Sequence, residues 1–255
     1  MLADATFHPS LAAADLGRAR NWYSEKLGLV PAVERPGVLV YRVGRSIFTV
    51  FESPYAGTAK NTVAAWNVGD LGSEMSRLRA RGVVFEEYDF EDLKTVDGVA
   101  TNDDGTLEAW FVDSEGNTFV LSQPAEPAPT QFFAIIAASD LARARAWYSE
   151  KLGLDPDAPF DGRELVYLAP GRTLFVVYET PSAGTAKNTV GVWRVTGLGG
   201  LVDQLRGRGV VFEEYDFGEV RTVDGVLDRA GDLNAWFKDS EGNILALSEE
   251  REPLF

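Results

Sequence analysis

WYSEKLGL occupies Trp22–Leu29, and the same eight residues return at Trp147–Leu154, 125 residues later. Three further blocks recur in the same order: AGTAKNTV at Ala56 and Ala183, VVFEEYDF at Val83 and Val210, and DSEGN at Asp113 and Asp239. Matches in fixed order at a domain-sized period mean one unit written twice, and not a solenoid of short repeats. SQPAEPAPTQ (Ser122–Gln131) separates the copies with three prolines and reads as a linker. The expected organisation is a first domain over 1–123, a linker over 124–131, a second domain over 132–250 and a tail over 251–255.

Working outward from WYSEKLGL, Asp15 caps a helix that carries Leu16, Ala19, Tyr23 and Leu27 on one face, and Gly28 stops it. Asp140, Leu141, Ala144, Tyr148, Leu152 and Gly153 repeat that design. A second helix is predicted from Asp70 through Leu71, Met75 and Leu78 to Gly82, with a glycine-rich counterpart between Gly197 and Gly209. Between the helices lie strand-length runs rich in β-branched and aromatic residues: VLVYRV, SIFTVFE, TVAAWNV, VVFEEYDF, LEAWFVD and TFVLS. DSEGN links the last two as a hairpin turn. Each copy therefore reads as βαβββ–βαβββ, an α+β chain of four such modules.

Composition narrows the function. The 255 residues are 45% hydrophobic and 25% charged, an ordinary globular balance. With no cysteine there are no disulfides, thiolate nucleophiles or cysteine-ligated metals. A formal net charge of -15, without a basic run, opposes nucleic-acid binding. No apolar run approaches the ~20 residues of a bilayer span, and MLADATF has neither a basic nor an apolar leader region, which reads as a cytoplasmic protein.

The helix entry DLGRARNWYSEKLGL after a first strand, AWFVDSEGN before a last one, and the duplication together resemble the vicinal-oxygen-chelate superfamily (glyoxalase, bleomycin resistance, dioxygenase) over nearly the whole chain, twice. The resemblance implies curved, mostly antiparallel sheets, each pair of modules enclosing a cavity. In metal-dependent members it implies four ligand positions on the first, fourth, fifth and eighth strands. Carried over, these fall on His8, Glu52, Val63 and Val120 in the first copy and on Phe133, Glu179, Val190 and Ala246 in the second. Whether a cavity is closed within one copy or between copies is left open, and neither pairing reaches three ligands. No cofactor is expected, and a divalent metal would have only His8 and Glu52 as candidates, with His8 also available to pair with Glu52.

If Glu52 and Glu179 face inward, strand parity adds Phe48, Val50, Phe175 and Val177, while Ser10, Ala65, Asn67, Val192, Arg194 and Ile135 follow from the neighbouring positions. Trp110 opposite Val120 and Trp236 opposite Ala246 join them. Trp66 and Trp193 have the other parity and pack under the helices. The expected ligand-binding set is His8, Phe48, Glu52, Asn67, Trp110, Phe133, Phe175, Glu179, Arg194 and Trp236. Such a lining suits a metal-free protein that sequesters a hydrophobic, planar small molecule, in the manner the bleomycin-resistance resemblance implies. The enzyme reading also stands: a metal-dependent lyase or dioxygenase, or a metal-free isomerase or cyclase using Glu52 or Glu179 as general base. A fused tandem can complete its own cavities, so a monomer is expected, with a homodimer as the other assembly.

Overall fold

The computed structural model describes residues 2, 5–91, 93–157, 164–169, 172–217, 220–229 and 231–251. The first copy runs β1 (Thr6–Ala13), α1 (Leu16–Trp22), β2 (Val33–Arg35), β3 (Val38–Val43), β4 (Ser46–Glu52), β5 (Thr62–Asn67), α2 (Leu71–Ala80), β6 (Ala100–Thr101), β7 (Leu107–Val112) and β8 (Thr118–Gln123). The second runs β9 (Gln131–Ala138), α3 (Leu141–Trp147), β10 (Glu164–Ala169), β11 (Arg172–Glu179), β12 (Thr189–Arg194), α4 (Leu198–Gly207), β13 (Asp216–Phe217), β14 (Val220–Arg221), β15 (Val226–Arg229), β16 (Asp232–Lys238) and β17 (Ile244–Glu249). Beyond Glu250 only Arg251 of the expected tail lies within the described residues.

The strands form two large sheets, and each draws on both copies. The order in sheet one is β15-β16-β17-β12-β1-β4-β3-β2, and in sheet two β10-β11-β9-β5-β8-β7-β6. The seam is antiparallel in both: His8 stands opposite Val192 across β1 and β12, and Phe133 opposite Ala65 across β9 and β5. The question left open by the sequence is answered by this seam, since the first module of each copy joins the second module of the other. Sheet one rolls far enough that Arg35 on β2 approaches Asp232 on β16 at 3.8 Å, although five strands separate them in the sheet.

The helix-side faces of the two sheets pack against each other. Phe7 meets Phe175 at 4.9 Å, and the repeat-related pair Phe132 and Phe48 meets at 4.7 Å. Tyr23 and Tyr148 cover these rings from the helical segments, at 5.6 Å from Phe48 and 5.4 Å from Phe175. Burying such rings removes large apolar areas from water, the main stabilising contribution here. Both capped helices form as the sequence predicts: Asp15 accepts from the Arg18 N–H and Asp140 from the Arg143 N–H, each at 2.9 Å. Each continues through a π-turn, Tyr23–Leu27 or Tyr148–Leu152, and ends on a left-handed glycine, Gly28 or Gly153.

The twice-written DSEGN proves to be more than a hairpin turn. Buried Asp113 accepts from the Tyr23 hydroxyl at 2.8 Å, and Glu115 accepts from the Ala14 N–H at 2.8 Å and from Arg18 Nε at 2.8 Å. Asp239 repeats the contact with Tyr148 at 3.0 Å, and Glu241 repeats it with the Ser139 N–H and Arg143 Nε, both at 2.8 Å. Burial pushes the Glu241 carboxyl up, but Arg143 and the Ser139 donors override it and hold the group at about 2. The sheets thus cross between copies while the polar turns lock each copy to itself. AGTAKN adds a reciprocal contact: the Lys60 N–H donates to Thr185 Oγ1 at 3.1 Å, and the Lys187 N–H to Thr58 Oγ1 at 3.2 Å.

Candidate functional site

Paired residues on neighbouring strands share a face, so the register decides what each concave surface presents. On sheet one, Ser10 pairs with Thr49 and Ala12 with Phe51, while Ala13 pairs with Glu52. His8 therefore looks out of one face of the sheet and Glu52 out of the other. On sheet two Glu179 pairs with Ala138, one residue out of step with the concave Ile135–Val176 pair. The expectation that Glu52 and Glu179 look into the cavities is corrected: they share the parity of Val50, Phe48, Val177 and Phe175, which belong to the helix-side core. Phe48 and Phe175 move with them and line no cavity. Both glutamates end their strands exposed to solvent, which satisfies the charge where burial would have required a partner.

Val63 and Val190 are also displaced. A bulge between Thr62 and Ala64, and its repeat between Thr189 and Gly191, turns each valine into the helix-side core. Beyond the bulge the parity resumes, and Ala65, Asn67, Val192 and Arg194 reach the concave faces. Trp110 stands opposite Val120 and Trp236 opposite Ala246. The structure thus places His8, Asn67, Trp110, Phe133, Arg194 and Trp236 on concave faces, divided between two cups. Trp193 is fully buried on the other side, 4.3 Å from Phe7, and Trp66 packs beside Phe132 at 5.7 Å.

Cup one, on sheet one, has a continuous row His8–Val192–Ala246–Trp236 across four strands. Beside it the Thr49 hydroxyl donates to Ser10 Oγ at 3.2 Å. His8 is buried and its Nδ1 has no hydrogen-bond partner. Burial first, and the Arg194 charge second, pull its pKa down to about 3, so the imidazole is neutral at ordinary pH. Arg194 is held by Glu250 at 2.5 Å. A groove of about 680 Å³ opens at this end of the strands, bounded by Thr6, Arg194, Ser248 and Glu250 and by Leu201 and Gln204 of α4. At the rim, Tyr215 leans edge-on against Trp236 at 5.6 Å. Its hydroxyl pKa is raised by burial, then by Glu213 and by nearby Tyr55, a residue 47% exposed.

Cup two, on sheet two, is filled by its own side chains. Ala65, Ala100, Trp110, Val120, Phe133 and Val176 form a separate buried cluster, with Tyr88, Leu93, Ile135 and Val166 packed on it. The Trp110 indole N–H donates to Thr62 Oγ1 at 3.2 Å, and the Thr62 N–H donates to the Tyr178 hydroxyl at 3.2 Å.

Thr49, Phe51, Tyr55, Tyr215 and Glu250 escaped the sequence reading. The first two were hidden by the one-residue slip on β4. The expected strand VVFEEYDF is corrected: the first copy makes none there and the second only β13 at its end, with single bridges from Phe85 to Phe111 and from Phe212 to Phe237, so strand alternation does not place Tyr215. The superfamily's metal positions do not fit a resident ion: the concave faces of the corresponding strands offer His8, Thr49, Val192 and Ala246 in cup one and Phe133, Val176, Ala65 and Val120 in cup two. A catalytic divalent ion needs about three protein donors. Among the described residues no group of three or more histidine, aspartate or glutamate side chains is placed to hold one.

This architecture is the two-domain vicinal-oxygen-chelate fold. Maize glyoxalase I superposes with a TM-score of 0.68 at 15% identity, over 96% of this chain and 92% of that one. A candidate dioxygenase of Bacillus subtilis gives 0.64 at 15% identity, over 99% and 86%. A glyoxalase/bleomycin resistance protein of Catenulispora acidiphila gives 0.38 at 21% identity, over 47% of this chain and 98% of its own. Neither the sequence profiles of protein families nor the sequences of curated proteins give a match. Identities this low establish the fold and leave activity to the residues themselves. No helix among the described residues is long and apolar enough to cross a membrane.

Proposed function

We propose that the chain binds and sequesters a flat, hydrophobic small molecule, without a resident metal. The observation that carries this reading is His8: a buried, neutral imidazole with an unpartnered Nδ1, in the same concave row as Trp236. A polar atom buried without a partner costs about 1–3 kcal/mol, and a ligand that pairs with it recovers that free energy. Trp236 and Tyr215 supply π-faces for stacking. The same His8 is poorly suited to proton abstraction, because a base whose conjugate acid has a pKa near 3 has little driving force at neutral pH. With Glu52 and Glu179 turned to the opposite faces, binding is better supported than general-base chemistry.

The test is titration with 1-aminoanthracene, a neutral flat aromatic carrying one amine, followed by tryptophan fluorescence. Saturable quenching is expected. No change with this probe, or with 2-naphthol and anthraquinone, overturns the reading.

A further inference from the structure

We infer that the two cups have parted in role: cup one takes a single flat ligand bearing a hydrogen-bonding group, and cup two has become a second hydrophobic core. The ligand half of this inference rests on the binding reading; the core half stands on its own observations.

The divergence is concentrated on one face of two strands. Repeat-equivalent concave positions are His8 and Phe133, Ser10 and Ile135, and Thr49 and Val176. In each case the first copy carries the polar residue and the second an apolar one of similar or greater bulk. The adjacent helix-side positions keep their identity, Phe7 matching Phe132 and Phe48 matching Phe175, so the change is not general drift. Because β1 pairs with β4 in sheet one and β9 with β11 in sheet two, all three polar residues fall in cup one and all three apolar ones in cup two.

Packing follows the chemistry. In cup two the apolar residues close on Trp110, whose N–H is bonded to Thr62, and Thr62 is in turn bonded to Tyr178, so no polar atom of this group waits for a ligand. In cup one Phe51 stands where Tyr178 stands and has no hydroxyl to repeat the chain. Among the described residues no bond joins Trp236 to Thr189, no second cluster forms, and His8 Nδ1 stays unpartnered. Cup one also has Tyr55 at its rim where the second copy has Ser182. Cup one keeps the orphan nitrogen of His8; cup two carries Phe133 in its place.

The experiment has two arms on the full chain. Calorimetric titration with 1-aminoanthracene is expected to give one site; Trp236→Ala weakens it at least 10-fold, and Trp110→Phe leaves it within about 2-fold. Thermal unfolding reads the core arm: Trp110→Ala lowers Tm by roughly 5 °C more than Trp236→Ala does. Two equivalent sites, or binding lost through Trp110 and not Trp236, overturn the asymmetry while sparing the binding reading. No saturable binding by the unaltered protein overturns the binding reading and the ligand assignment together. Equal Tm losses for the two alanine variants overturn the core assignment even then.

Discussion

His8 on β1 stands directly opposite Val192 on β12, although 184 positions separate them in sequence. That antiparallel contact is the seam at which the first copy hands its opening strand to the second, and the repeat-related seam of sheet two joins Phe133 to Ala65. A copy cut off from its twin has an unpaired seam edge on β1 and β5, and exposed sheet edges recruit partners. Residues 1–123 expressed alone should therefore dimerise, pairing β1 of one molecule with β5 of the other. Sedimentation equilibrium at micromolar concentration checks this; a stable folded monomer would contradict the crossed arrangement.

Gly191 lies under the Phe7 ring, and a Cβ added there would sit 2.1 Å from Phe7 Cζ. The repeat-equivalent position is Ala64, so the alanine is sterically tolerable in one sheet and not in the other. Gly191→Ala should cost about 1–3 kcal/mol through overpacking, since Phe7 is wedged against Trp193 and Phe175. Urea unfolding reads it directly, and a neutral substitution would mean the ring has room to turn aside.

His8 gives the fold an acid sensitivity whose sign can be worked out. Its folded pKa, about 3, lies below the ordinary 6.5, so between those values the unfolded chain binds a proton that the folded chain refuses. Stability should then fall as pH drops through that window, by up to about 1.4 kcal/mol per pH unit from this group. His8→Phe, which copies the second repeat, should flatten the stability profile between pH 6.5 and 4. An unchanged slope would show that His8 is protonated, or reaches water, in the folded state.

Glu241→Gln keeps one acceptor for the Ser139 N–H but loses the charge facing Arg143. Arg143 is half exposed, so solvent screens part of the ion pair, and the buried carboxylate's lost hydrogen bonds make up most of the effect. A loss of about 2 kcal/mol is expected, with a matching loss for Glu115→Gln. A large difference between the two in chemical denaturation would show that the latches are not equivalent.

The duplication, both capped helices and the Trp110–Val120 and Trp236–Ala246 pairings were legible because each rests on local spacing. What failed was choice of face. On SIFTVFE the residues Phe48 and Val50 are buried beneath the helix, while Thr49 and Phe51 line the cup. Both faces of the strand thus carry apolar side chains, and alternation alone does not say which is concave; anchoring the parity on Glu52 selected the wrong one. The bulge at Val63 was invisible for the same reason, since Thr62, Val63 and Ala64 read as unbroken strand. The crossing between copies had no local signature at all, because nearly identical modules offer the same edges and only long-range contacts choose between them.

A crystal structure of the chain grown with 1-aminoanthracene tests the central claim most directly. The account predicts one molecule in the hollow of sheet one, its rings against Trp236 and its amine within hydrogen-bond reach of His8 Nδ1, with Trp110 still closed over Phe133. Ligand density seated at Trp110, or in neither hollow, would contradict it.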